Sequence, residues 1–153
     1  MEHVSNGLVG MAGTQPRATR LSRFEHAVLV ACTEALLPAG GAIQPSGLEA
    51  RVVPYVEQMV SRVPRMLRLL VRALLLFVEF CPWLRLKARL TRLGVPERMR
   101  ILRGLSESRI YLLRSMFISL RALLTIAYFA DEGVCQALGQ PWVPGSPLHG
   151  AAA

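Results

Sequence analysis

The sequence predicts an all-α fold: a single irregular bundle of about five helices with disordered termini. Three observations carry this. Apolar residues recur at three-to-four spacing through most of residues 22–139; capping and Pro/Gly signals punctuate those runs; and no strand-like alternation or internal repeat is found. With 153 residues the chain is long enough for one domain with a real core.

The first helix is expected to open at Ser22, because Ser22 and Glu25 form an S-x-x-E capping box. Phe24, Val28, Cys32 and Ala35 then share a face, and Pro38, Gly40 and Gly41 stop the helix. A second helix spans about 47–63, with a short entry turn before Pro54. The third starts at Pro64 and ends before Cys81-Pro82. Its stretch Leu69 to Val78 holds one charge, Arg72, but Arg65, Arg68 and Glu79 nearby argue against a membrane span. A basic connector, 84–93, leads to a fourth helix, Pro96 to Ser106. The fifth and longest, Ser108 to Ala130, is apolar nearly all round, and such a helix is either central or shared with a partner. Asp131 caps a last short helix that Gly139 ends. Residues 1–21 and 140–153 are read as tails.

Composition narrows the function. Hydrophobic residues make up 52% and charged residues 18%, so the chain leans apolar. The net charge is +8, and Lys87 is the only lysine among 18 basic residues. Arginine suits interfacial ion pairs and anionic groups, although a GC-rich coding bias gives the same preference. Cys32, Cys81 and Cys135 stand singly, without the spacing of a disulfide framework or a zinc site. No secretory or twin-arginine signal is read at the amino terminus, so a cytoplasmic location is expected, with any membrane association made through a partner.

No catalytic, cofactor-binding or metal-binding residue is singled out. There is no Gly-rich phosphate loop, G-x-S-x-G elbow or H-E-x-x-H motif, and His26 is the only histidine on a helix. Glu34, Glu49, Glu57, Glu79 and Glu107 are read as partners of nearby arginines. Arg62, Arg65, Arg68 and Arg72 form a basic stripe if one helix runs through Pro64. The stripe is either a solvated face or a contact for an anionic membrane surface; nucleic acid is the weaker option because no recognised module accompanies the charge. The candidate partner-binding residues are Leu112, Met116, Leu123, Tyr128, Phe129, Asp131 and Trp142, a long apolar helix followed by an aromatic-flanked turn, and the apolar surface of Leu69 to Phe80 and Leu112 to Phe129 is expected to be buried against a partner.

Ala127-Tyr128-Phe129 with Asp131, Val134 and Ala137-Leu138-Gly139 resembles the Y-Y-x-D-x-x-V-x-x-A-L-G ending of the gluconate 2-dehydrogenase subunit 3-like family. Arg98 to Leu105, Ser108 to Arg114 and Phe24 to Pro38 are similar to the helices that precede that ending. The resemblance implies a non-catalytic accessory subunit that stabilises or anchors a FAD-dependent alcohol or sugar dehydrogenase of the glucose-methanol-choline type. The FAD would sit in that large flavoprotein subunit, often within a membrane-associated complex. The alternative is a peripheral membrane-binding helical protein that uses the arginine-rich helix.

Overall fold

In the computed structural model, residues 21–41, 43–82 and 88–140 are described. Among them are six α-helices and one 3-10 turn, with no strand. The predicted tails lie outside the described residues, apart from Leu21 and Gln140 at their inner ends. Leu21 is buried in the core.

Helix α1 spans Arg23–Leu36. Its capping box is formed as expected: the Ser22 amide donates to Glu25 Oε2 at 2.7 Å and the Glu25 amide to Ser22 Oγ at 3.2 Å. Val28, Cys32 and Ala35 are fully buried, which makes α1 the central helix. After Leu37 the chain turns at Gly40, whose φ of 79° suits glycine. It then returns close to α1 at Gly47, where a Cβ would lie 2.7 Å from Leu37 Cβ and Thr33 Cγ2.

Helix α2 is Val52–Arg62, shorter than the expected 47–63 because its entry is a separate turn. That turn is closed by a second box, with the Ser46 amide donating to Glu49 Oε2 at 2.7 Å. Pro54 falls in the first turn, where its missing N–H costs nothing. Helix α3, Arg65–Phe80, starts after Pro64, and the extended backbone at Val63 and Pro64 breaks the helix there.

Residues 83–87 of the basic connector lie outside the described residues. A 3-10 turn at Leu90–Arg92 follows and plants Leu90 in the core. Helix α4 is Val95–Ser106, opened by Glu97, which accepts from the Gly94 amide at 3.1 Å. Helix α5 is Tyr111–Phe129. It begins later than Ser108 because the Ser108 hydroxyl accepts from the Ile110 amide at 3.2 Å in the preceding turn. Helix α6, Glu132–Ala137, is capped by Asp131, which accepts from the Val134 amide at 3.3 Å, and Gly139 ends it at φ 67°.

Helix α1 packs against α2, α3 and α4, while α5 packs against α2, α4 and α6. No substantial interface joins α3 to α5; α2 lies against both. Helix α5 is therefore peripheral rather than central, and Phe117, Leu120, Leu124, Ala127 and Tyr128 are its only buried side chains.

Candidate functional site

The outward halves of α3 and α5 are the least protein-like part of the surface. On α3 the exposed positions are Arg65, Met66, Leu67, Leu69, Leu70 and Ala73, continued by Leu76 and Phe80. Only the first of these is charged, and Met66 and Leu70 are 75% and 63% exposed. On α5, the apolar side chains Tyr111, Leu112, Ile118, Ile126 and Phe129 are exposed, with Arg114, Ser119, Arg121 and Ala122 exposed among them. Single exposed apolar residues need no explanation, but two adjacent helices that present apolar faces do.

Between them runs an apolar groove of about 440 Å³. Its floor is Met59, Val60 and Val63 of α2; Leu67, Leu70 and Leu74 form one wall, and Leu112, Met116 and Leu123 the other. Among the described residues, Ser115 and Ser119 are the only polar side chains that line it. Helix α5 is also long and apolar enough to cross a membrane by length and composition, with a mean hydropathy of 1.5 and 28% of its span buried.

The candidate partner-binding residues divide. Leu112 and Phe129 are exposed, and Met116 and Leu123 are half-buried in the groove wall. Tyr128 is a core residue, 5% exposed, whose hydroxyl donates to Pro45 O at 2.7 Å and so ties α5 to the loop before α2. Burial, then the charges of Asp131 and Glu49, push its pKa up. Asp131 is a helix cap, which gives it a local task. Trp142 lies outside the described residues. From Leu69 onward the outer face of α3 falls within the apolar stretch Leu69 to Phe80 that the sequence offers for burial against a partner, whereas the α2 floor of the groove was not singled out from sequence.

The basic stripe is divided too. It required a helix continuous through Pro64, and the break there separates Arg62 from the rest. The Arg68 guanidinium donates to the carbonyls of Val60, Ser61 and Val63 at 3.1–3.3 Å, which satisfies the open end of α2. Arg72 pairs with Glu25 at 3.3 Å. Arg62 and Arg65 are exposed.

The acidic residues also take other partners than expected. Glu34 does pair with an arginine, Arg98, at 2.7 Å. Glu57 instead meets His26, with Oε1 2.7 Å from Nδ1, and Glu49 closes the Ser46 turn. Glu79, fully buried, accepts from the Thr91 hydroxyl at 2.7 Å and the Thr91 amide at 3.0 Å, which pins the 3-10 turn to α3. Next to it Cys32 is held as a thiol: burial first, then the Glu79 charge, push it up to about 12, with Arg98 opposing. Among the described residues no group of three or more His, Cys, Asp or Glu converges as a metal site would require.

The fold and this surface define a class: a small all-α bundle with a two-helix apolar face. Compared with protein-family models, curated proteins and solved structures, the chain matches none.

Proposed function

We propose that the chain is an accessory subunit that docks, through the outer faces of α3 and α5, onto a FAD-dependent alcohol or sugar dehydrogenase and stabilises or anchors it. The observation that supports docking is the pair of apolar helix faces with the groove between them. Burying such surface is worth roughly 25 cal/mol per Å², so an apolar partner surface gains by covering it. The choice of a flavoprotein partner rests on the resemblance of the segment from Ala127 to Gly139. In this reading FAD and the redox chemistry belong to the large subunit.

The test is co-expression of the full chain with a glucose-methanol-choline-type flavoprotein encoded beside it. A stable complex that co-elutes with flavin absorbance is expected, and Leu70→Glu with Ile118→Glu should release the two proteins. Separate elution of the unmodified pair would sink the proposal. Association with an anionic membrane surface is the second reading, favoured by Met66 and Leu69 standing next to Arg65. It has lost part of its basis, since Arg68 and Arg72 serve internal contacts. Salt-sensitive co-sedimentation with anionic but not neutral vesicles would favour it over the subunit reading.

A further inference from the structure

On another flank of α5 lies a second cleft, of about 620 Å³, between α1, the loop after it, α4 and α5. Its size is that of a small-molecule site, where apolar walls hold a ligand body and a few convergent polar groups fix its orientation. The α4 side contributes Met99, Leu102, Arg103 and Ser106, at helical spacing on one face. The α5 side contributes Phe117, Arg121, Leu124 and Thr125, again one face. Leu36, Leu37 and Ile43 close the end with further apolar surface.

Arg103 and Arg121 thus both line one largely apolar cleft from two helices, and among the described residues no carboxylate lines it with them. Neither Arg103 nor Arg121 belongs to an ion pair within the described part of the chain. Two like charges over an apolar wall, without a counter-charge, are complementary to an anion that carries a hydrocarbon body.

We infer that the cleft between α4 and α5 binds a small anionic amphiphile, its carboxylate or phosphate ester held by Arg103 and Arg121 and its apolar body laid against Leu37, Phe117 and Leu124. This site adjoins the docking face at Phe129, which belongs to both, but the inference does not depend on docking.

The test is calorimetric titration of the folded full chain with dodecanoate and dodecyl phosphate, each below its micelle concentration, and with dodecanol below its solubility limit. Dodecanoate or dodecyl phosphate should bind at one site, the tighter of the two naming the headgroup, and dodecanol should bind at least about tenfold more weakly. Arg103→Gln and Arg121→Gln should each weaken the anion by about tenfold with unchanged helical circular dichroism, since both residues are exposed. Leu70→Gln, in the other groove, should leave binding as it is. Equal binding of dodecanol, no effect of either arginine change, loss of binding in Leu70→Gln, or no binding at all would overturn the inference.

Discussion

Arg98 shows how much a single side chain can hold in so small a bundle. It donates to the carbonyls of Leu90 and Thr91 at 3.2 Å and pairs with Glu34 at 2.7 Å, so it joins the 3-10 turn, α4 and α1. Arg98→Ala strands those acceptors, and a loss of about 2–4 kcal/mol in urea unfolding is expected, with Glu34→Ala costing less because Glu34 is the more exposed partner. Cys32 carries a different consequence. Its thiol is lifted from 9.0 in the unfolded chain to about 12 in the fold, so between those values the unfolded state has released a proton that the native state keeps. Stability from this group is full below pH 9.0 and declines as pH rises toward about 12. Cys32→Ala should flatten that alkaline slope, and in the native protein a thiol reagent should modify the half-buried Cys81 and Cys135 before Cys32. None of this was legible in the sequence, where Cys32 is simply an apolar-face residue and Arg98 one arginine of many. Partners 64 positions apart, such as Arg98 and Glu34, leave no local mark.

Element boundaries were largely legible because they depend on neighbours in the chain. Ser22 with Glu25, Pro64, Pro96, Asp131 and Gly139 each act within a turn of where they stand, and each does so in the fold. The errors came where a side chain outcompeted periodicity, as at Ser108, or where a proline broke a pattern that looked continuous, as at Pro64 between Arg62 and Arg65. Gly47 is a position where the element contact itself dictates the residue. Since a Cβ there would press on Leu37 and Thr33, Gly47→Ala should cost about 1–3 kcal/mol by forcing the loop off α1, seen as a lower denaturation midpoint with unchanged helix content. The division of the candidate residues follows the same logic. A helix pattern gives the face on which Leu112, Met116 and Tyr128 lie relative to one another, but not which face the rest of the chain covers. That is why Tyr128 proved to be core and Leu112 surface.

For the whole molecule, the composition was the most informative signal. A chain that is 52% hydrophobic and 18% charged has more apolar surface than six short helices enclose, and the excess emerges on α3 and α5. Sequence could foretell that an apolar face would exist and place it on both α3 and α5, through Leu69 to Phe80 and Leu112 to Phe129; it could not show that the two helices meet across a groove floored by α2, because that depends on packing. The central claim is that this two-helix face is built to be covered. Sedimentation velocity of the isolated full chain at micromolar concentration tests it most directly, compared with a variant carrying Leu70→Glu and Ile118→Glu. The unmodified chain should sediment as concentration-dependent assemblies and the variant as a helical monomer; a stable, monodisperse monomer for the unmodified chain would contradict the account.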